Sequence, residues 1–279
     1  MIDMKRAFVS VAVAAALLGC VQAFAQNQTV RAFSHRGGRM ENDENTIQAF
    51  QKSHEIGYTG YETDIRMTKD GVLVVTHDSN LERTTDGTGA VEEKTYKEIQ
   101  ALNTKKGHKM LSLDELMEFL KDKKGLYVEF ELKTKPESLY PQERLEEYCD
   151  KLYKTVMKKK PADAEFIFTS SDYRGLRYLM AKHPGVDCLM ISSDPVSDKT
   201  IALAKALGIT RIGCHMEGTS RDMVAKAKKA GLVVSLWPTT KIQDFILGCY
   251  LGADYLCTDI PEETMTFMSN NMPWIKIKY

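Results

Sequence analysis

The sequence predicts an α/β fold, a (β/α)8 TIM barrel with a small insertion after its second strand. Short runs rich in β-branched residues alternate with longer amphipathic segments along most of the 279 residues. The alternation gives eight strand–helix units, whereas a doubly wound sheet needs fewer units. The ionisable residues also gather at the ends of the strand-like runs, which is the face where barrels of this class carry their active sites.

The predicted strands are short apolar runs, and most are followed by polar or small residues. Each has the length of an ordinary strand and is enriched in valine, isoleucine, leucine or aromatic residues. We place them at residues 29–34, 59–65, 125–132, 164–169, 186–192, 209–214, 231–237 and 254–258.

The predicted helices carry apolar residues at intervals of three and four. Ser112, with Glu115 three residues later, indicates a capping box at the start of one of them. Gly208 and Gly252 lie where two others should end. The predicted helices cover residues 44–57, 112–122, 141–159, 173–182, 197–207, 219–230, 240–251 and 261–270.

One segment interrupts the repeat between the second strand and its helix. Residues 67–77 indicate a hairpin with an Asp70-Gly71 turn, and residues 80–110 are polar and irregular. We therefore expect residues 67–110 to form an insertion on the active-site face of a single barrel domain that covers residues 26–279.

Residues 1–25 have the features of a secretory signal peptide. Lys5-Arg6 precedes a small-apolar run, and Ala23-Phe24-Ala25 matches a cleavage site. The segment that ends at Cys20 also resembles a bacterial lipobox, in which that cysteine would carry a lipid anchor. We expect an exported protein, either free in the bacterial periplasm or associated with the outer membrane as a lipoprotein.

Composition and charge narrow the possible partners. Beyond residue 25 the chain carries 36 basic and 37 acidic residues, and this neutral balance argues against nucleic acid as a partner. After the leader, no apolar stretch has the length of a transmembrane segment. We expect a small-molecule substrate, and the sequence leaves the oligomeric state open.

Cys188, Cys214 and Cys257 stand in apolar runs typical of buried thiols.

Two carboxylates on the second strand predict a metal site. Glu62 and Asp64 are two residues apart, so in a strand their side chains face the same side and repel one another. A hard divalent cation between them would relieve this repulsion, since such ions prefer oxygen ligands. His35 and His77 follow neighbouring strand-like runs, and a metal between two histidines suits phosphoryl transfer.

Eight short motifs in order give the chain a resemblance to the glycerophosphodiester phosphodiesterases. Each motif alone is weak, but eight in order with consistent spacing give a match from about residue 31 to about residue 265. The motifs are His35-Arg36-Gly37, Glu44-Asn45-Thr46, Glu62-x-Asp64, Thr68-Lys69-Asp70-Gly71, Val74-Val75-x-His77-Asp78, Leu81-x-Arg83-Thr84-Thr85, Glu131-x-Lys133 and Thr258-Asp259-x-Pro261.

The resemblance implies a reaction and a set of site residues. Members of this family hydrolyse glycerophosphodiesters to sn-glycerol 3-phosphate and an alcohol on a TIM barrel, with a divalent cation, commonly Ca²⁺ or Mg²⁺. On this basis His35 and His77 would be the acid–base pair. The expected metal ligands are Glu62, Asp64 and Glu131, and the expected substrate-binding residues are Arg36, Lys133, Trp237 and, with the least support, Glu44.

The chain departs from the family pattern at two places. Asp43 stands where proline is usual before Glu-Asn-Thr, and it could cap the following helix. Trp237 is present, but Pro238 and the two threonines after it replace the usual Thr-Val-Asn. The third strand also offers two carboxylates on one face, Glu129 and Glu131, and the Glu-x-Lys match favours Glu131.

Three functions remain open at this point. The first is an exported, metal-dependent glycerophosphodiesterase. The second is a related phosphodiesterase on the same barrel that cuts a lysophospholipid or a phosphoinositol and releases a cyclic phosphate. The third is a binding protein that has lost its chemistry, which the presence of every expected catalytic residue disfavours.

Overall fold

A computed structural model describes residues 29–279, in which eight parallel strands close into a barrel. Each strand pairs with its neighbours in parallel, and β1 pairs with β2 on one side and with β10 on the other. This closure confirms the predicted (β/α)8 barrel. The barrel strands are β1 (Thr29–His35), β2 (Gly60–Met67), β5 (Tyr127–Leu132), β6 (Glu165–Ser170), β7 (Cys188–Pro195), β8 (Arg211–His215), β9 (Val233–Thr239) and β10 (Tyr255–Thr258).

Helices connect successive strands around the outside of the barrel. Their apolar faces cover the outward side of the sheet in one continuous core. They are α1 (Ile47–Glu55), α3 (Leu113–Leu120), α4 (Gln142–Lys158), α5 (Tyr173–Lys182), α6 (Asp198–Leu207), α7 (Arg221–Lys229), α8 (Ile242–Leu251) and α9 (Pro261–Asn271).

Strand alternation separates the outer core from the barrel interior. On β5, Val128 and Phe130 pack in the large core beneath the helices, whereas Tyr127 packs in a second cluster with Phe33 and Cys257. Because side chains alternate along a strand, Glu129 and Glu131 lie on the same inward side as Tyr127. The inward carboxylates therefore stand above an apolar and aromatic floor.

The segment between β2 and α3 forms an antiparallel extension of the sheet. Residues Leu73–Val75 (β3) pair with β2 through the expected hairpin, and Leu111–Ser112 (β4) pair with β3. We predicted residues 80–110 as irregular, but they include a helix, Tyr96–Ala101 (α2), and a 3₁₀ turn, Val91–Glu93. The segment has its own small apolar cluster, made of Val74, Leu81, Val91, Ile99 and Met110.

Several helix ends follow the expected rules. Ser112 and Glu115 form the reciprocal capping box at the start of α3. Gly208 and Gly252 end α6 and α8 in the left-handed conformation that favours glycine. The expected N-cap at Asp43 is wrong, because α1 begins at Ile47 and its N-terminal amides are capped by Thr46.

A last short strand lies outside our sequence prediction. Residues Lys276–Lys278 (β11) pair in parallel with Thr29–Arg31 at the N-terminal end of β1.

No helix within residues 29–279 combines the length and apolar character needed to cross a membrane. Cys188, Cys214 and Cys257 are buried free thiols, as predicted. The proposed signal peptide and Cys20 lie outside the described residues.

Candidate active site

Strand register brings three carboxylates together at the C-terminal mouth of the barrel. Asp64 on β2 pairs with Glu131 on β5, and Glu62 on β2 pairs with His35 on β1. Ligand oxygens of Glu62, Asp64 and Glu131 all lie within 4.8 Å of one another. Glu129, the other carboxylate considered on this strand, lies one step lower and is not part of this acidic group.

The acidic group fits a divalent cation by its unpaired oxygens. Glu62 and Asp64 are buried, and neither oxygen of Glu62 nor Oδ1 of Asp64 has a hydrogen-bond partner. Burial, followed by the charges of Asp64 and Glu131, raises the pKa of Glu62 well above its ordinary value. Buried oxygen atoms without partners are costly, and a hard cation would satisfy them.

Asp64 is the most heavily paired of the three carboxylates. Its Oδ2 accepts a hydrogen bond from Asn45 Nδ2 at 2.8 Å and lies 3.0 Å from Arg36 Nε, while Lys133 Nζ is 3.5 Å from Oδ1. Burial opposes its ionisation, but Arg36 and Lys133 outweigh burial and hold the pKa of Asp64 well below its usual range. Asp64 therefore remains ionised throughout the physiological pH range.

Arg36, which is buried, and Lys133, which is half-buried, place two positive charges beside the acidic group. Lys133 Nζ lies 2.9 Å from Glu131 Oε1, and Arg36 also contacts Glu44 Oε1 at 3.1 Å. Burial disfavours both cations, but neighbouring carboxylates raise the pKa of each above its ordinary value. Both side chains stay charged and can stabilise an anionic ligand.

His35 is oriented by a carboxylate from the last barrel strand. Its Nδ1 lies 2.5 Å from Asp259 Oδ1, and Asp259 Oδ2 is 2.7 Å from Arg39. Burial raises the pKa of Asp259, but the bonds from His35 and Arg39 outweigh burial and lower it. An ionised Asp259 keeps a proton on Nδ1, which leaves Nε2 facing Glu62 Oε2 at 3.5 Å.

His77 lies beside the same acidic group, on the segment after β3. Its Nδ1 contacts Asp78 Oδ1 at 2.6 Å, and its carbonyl oxygen accepts a bond from Arg66 Nε at 2.9 Å. Burial lowers the pKa of His77, although the charge of Asp64 opposes this. His77 therefore favours its neutral form near pH 7, with Nε2 free to take or give a proton.

Glu44 bridges two arginines at the rim of the mouth. Arg83 binds both of its carboxylate oxygens, at 2.8 and 2.7 Å, and also contacts Asp78, the partner of His77. Burial raises the pKa of Glu44, but Arg83 and Arg36 outweigh burial and lower it. Glu44 thus connects Arg36 to the His77–Asp78 pair through Arg83.

Trp237 lies near the C-terminal end of β9, half-buried, on the opposite side of the mouth from the acidic group. Its ring packs edge-on against His215 at 5.1 Å, and it borders the interior cluster of Phe33 and Cys257. Its indole Nε1 is buried without a hydrogen-bond partner. This nitrogen is a donor available to a ligand that enters the barrel mouth.

An open cleft of about 700 Å³ extends from the acidic group toward the insertion. Part of its wall comes from the chain after β3 and part from the end of β5 and the residues that follow it. His77, Arg83, Glu131, Lys133 and Lys135 line it.

Sequence reasoning named the central residues but assigned no role to several of their partners. Asp259 lies in the Thr258-Asp259-x-Pro261 motif, for which the sequence predicts no function, and Asn45, Asp78 and Arg83 also lie within motifs of the family resemblance. Their position beside ionisable site residues was the available signal. Asp43, instead of capping a helix, accepts bonds from Thr104 and from His108 Nδ1 in the insertion.

Fold and site together define a phosphodiesterase of the (β/α)8 barrel class. The Glycerophosphoryl diester phosphodiesterase family matches residues 35–263, and the chain belongs to this family. A glycerophosphodiester phosphodiesterase of Caldanaerobacter subterraneus is 32% identical over 238 residues, which cover 82% of this chain and 93% of that protein.

Solved structures share the fold. A putative glycerophosphoryl diester phosphodiesterase from Silicibacter pomeroyi superimposes with a TM-score of 0.81 at 23% identity and covers 90% of this chain and 96% of its own. An Oleispira antarctica phosphodiesterase in complex with the product sn-glycerol-3-phosphate gives a TM-score of 0.78 at 22% identity, with 86% and 97% covered.

Proposed function

We propose that this protein hydrolyses glycerophosphodiesters to sn-glycerol 3-phosphate and an alcohol, with one divalent cation and two histidines. The observation that carries the proposal is the acidic group flanked by His35 and His77 in a member of this family. His35 Nε2 lies 3.5 Å from Glu62 Oε2, and His77 lines the same cleft as Glu131 and Lys133, which supports a role for both histidines beside a bound phosphate.

Glu62, Asp64 and Glu131 would hold the cation, Ca²⁺ or Mg²⁺. When bound, the ion supplies positive charge against the charge that develops on the phosphate oxygens. Three carboxylates exceed the charge of a dication, and Arg36 and Lys133 offset this excess. The guanidinium of Arg36 can bind two phosphate oxygens, and the Lys133 ammonium faces the cleft.

The two histidines divide the proton transfers. One removes the proton of the nucleophile, either water or the neighbouring glycerol hydroxyl, and the other protonates the leaving alkoxide. Attack by the glycerol hydroxyl would pass through a cyclic phosphate. Asp259 and Asp78 position the histidines. Each accepts a hydrogen bond from the Nδ1–H of one histidine and so directs its Nε2 to the reaction.

Hydrolysis assays with matched variants test this proposal. Glycerophosphocholine, glycerophosphoethanolamine, glycerophosphoinositol and lysophosphatidylcholine are incubated with the protein in EDTA, Ca²⁺ or Mg²⁺, and glycerol 3-phosphate is measured. We expect metal-dependent release that falls about 10²–10⁴-fold in His35→Ala and His77→Ala. His183→Ala, which changes a histidine just after α5, is the matched control and keeps full activity.

Absence of glycerol 3-phosphate with every metal, from folded protein, would rule out the proposed reaction. Release of cyclic or lysophosphatidic products instead would favour the related phosphodiesterase.

We also propose that residues 1–25 direct export to the periplasm or, through Cys20, to a membrane anchor. The basic start, apolar run and Ala-x-Ala site of this segment support export. The intact mass of the mature protein tests it: a chain starting at Gln26 indicates cleavage, and a diacylglyceryl-modified Cys20 indicates a lipoprotein. An unprocessed Met1 in cells with an active export system would contradict both.

A further inference from the structure

A second set of potential metal ligands overlaps the acidic group. Ligand atoms of His35, Glu62 and Cys257 lie within 4.8 Å of one another, one nitrogen, one oxygen and one sulfur. They come from three neighbouring strands in the order β10, β1 and β2. Cys257 pairs with Phe33 in the register, so its thiol lies one step deeper in the barrel than His35.

The state of the His35 ring suits metal binding. Asp259 occupies Nδ1, and the remaining nitrogen faces Glu62 Oε2 at 3.5 Å. A carboxylate on one imidazole nitrogen and a metal on the other is the usual arrangement of metal-binding histidines. In a tetrahedral site with bonds of about 2.0–2.3 Å, ligand atoms lie roughly 3.5 Å apart, so this nitrogen and oxygen already have a suitable separation.

Glu62 gives a second observation that favours a cation between these side chains. It is only 4% exposed, and both of its oxygens are buried without a hydrogen-bond partner. Two free oxygens allow Glu62 to serve either ligand set. The side chain of His35 is 22% exposed at the mouth, which gives an ion a route to the thiol below it.

The chemistry of this set differs from that of the three carboxylates. A thiolate and an imidazole favour borderline or soft cations such as Zn²⁺ and Co²⁺, whereas Ca²⁺ and Mg²⁺ prefer oxygen. One thiolate and one carboxylate neutralise a dication, and three protein ligands leave a fourth position open.

We propose that His35, Glu62 and Cys257 form a binding site for a thiophilic divalent cation, with Zn²⁺ as the ion and Co²⁺ as its spectroscopic probe. Burial raises the pKa of Cys257, so the thiol is protonated before the ion arrives. As the Sγ–metal bond forms, this proton passes to water.

Optical titration with Co²⁺ tests the thiolate ligand directly. The wild-type protein should develop a sulfur-to-cobalt charge-transfer band in the near ultraviolet, and Zn²⁺ should remove it by displacement. Cys257→Ser should lose the band and bind Zn²⁺ about 100-fold more weakly or worse, since a ligand is lost outright. Cys249→Ser, which changes a half-buried thiol on α8, should keep both. A band that persists in folded Cys257→Ser would overturn the proposal.

X-ray absorption of the Zn²⁺-loaded wild-type protein needs no variant. One sulfur scatterer at about 2.3 Å is expected beside nitrogen and oxygen neighbours. A shell of nitrogen and oxygen alone would place the ion at the carboxylates or at adventitious positions and would overturn the site.

Binding at this site has a consequence that rests on the proposed function. An ion on His35 Nε2 would remove that nitrogen from proton transfer, so hydrolysis supported by Ca²⁺ or Mg²⁺ should fall as Zn²⁺ is added. The optical and X-ray measurements do not depend on hydrolysis, so they test the site even if the proposed reaction is wrong. Binding of Zn²⁺ without inhibition of hydrolysis would refute only the part in proton transfer that the proposed function gives to His35.

Discussion

Two residues of the site hold backbone conformations that are unusual for their type. Arg36 and Asn45 have positive φ angles of 55° and 58°, although neither is glycine. The Arg36 amide donates to the Glu62 carbonyl at 3.0 Å, and the Asn45 amide donates to the Arg36 carbonyl at 2.9 Å. Both side chains then reach Asp64. Such strained residues persist where the surroundings fix them, and they concentrate at functional sites.

Asp259 should matter for turnover more than for substrate binding. Replacing it in Asp259→Asn keeps the shape but removes the charge that holds the Nδ1 proton of His35. We expect kcat to fall about 10²–10⁴-fold with KM little changed, measured by steady-state assays over pH 5–9. A folded variant, checked by circular dichroism, that retains wild-type kcat would show that Asp259 does not position His35.

Glu129 should make the stability of the protein depend on pH. It accepts a bond from the Tyr127 hydroxyl at 2.5 Å, and burial raises its pKa to about 7. Because this pKa lies above that of the unfolded chain, the neutral carboxyl favours folding. That contribution is present below about pH 4.5 and is lost as the pH rises through about 7.

The matched comparison is Glu129→Gln, measured by urea unfolding in EDTA from pH 5 to 9. Relative to Glu129→Gln, the wild-type free energy of unfolding should fall by about 3 kcal/mol across this range. Glu55→Gln, a control at the exposed last residue of α1, should track the wild type. Parallel curves for wild type and Glu129→Gln would contradict the raised pKa.

At the scale of elements, the capping box of Ser112 and Glu115 sets where α3 begins, between the insertion and the barrel. The Ser112 hydroxyl accepts a bond from the Glu115 amide at 3.3 Å, and Glu115 Oε2 accepts from the Ser112 amide at 2.8 Å. Each interaction satisfies an N-terminal amide that the helix itself leaves unpaired. The same serine also belongs to β4, so one residue ends a strand and starts a helix.

Removing this cap should cost stability without changing the fold. We expect Ser112→Ala to lower the free energy of unfolding by about 1 kcal/mol, measured by chemical denaturation. Ser138→Ala, at an exposed serine in the 3₁₀ turn Glu137–Leu139, should change it by less than about 0.5 kcal/mol. Equal losses in the two variants would argue against the capping role.

Strands and most helices were predictable because their signals are local. The predicted strand 29–34 corresponds to Thr29–His35 in the structure, and the apolar runs and caps account for such agreement. The first helix begins at Ile47, not at residue 44, because Asn45 is in a left-handed conformation and points to Asp64. The contact between Asn45 and Asp64, and not the apolar periodicity, therefore decides where α1 begins.

The contacts that the sequence did not reveal join distant parts of the chain. The bond between His35 and Asp259 spans 224 residues, so no local pattern indicates it. Likewise β11 has no hydrophobic periodicity to predict it, and it forms because the edge of β1 offers free backbone groups at Thr29–Arg31.

For the whole molecule, charge at the barrel mouth and stability are linked. Three clustered carboxylates repel one another, and Arg36 and Lys133 compensate them in part. An ion that binds the folded protein alone adds to its stability by mass action. The apo-protein should therefore be less stable than the protein with its cation.

Thermal unfolding with and without cation measures this link. At about 100 times the dissociation constant, Ca²⁺ or Mg²⁺ should add about 2.7 kcal/mol to the free energy of unfolding. Glu131→Gln should lose most of this gain, whereas Glu118→Gln, an exposed acid on α3, should keep it. An unfolding temperature that does not respond to either ion would argue against the cation site.

The pairing of β11 with the start of β1 also decides how the protein is oriented when it is joined to a tether, a fusion partner or a solid support. Both described ends of the chain meet at the floor of the barrel, where the Thr59 hydroxyl also donates to the carbonyl of Tyr279 at 2.6 Å. The mouth with His35 and Glu62 opens in the opposite direction. A tether, fusion partner or solid support joined next to Thr29 or Tyr279 therefore holds the protein by its base and leaves the mouth turned toward the surrounding solution.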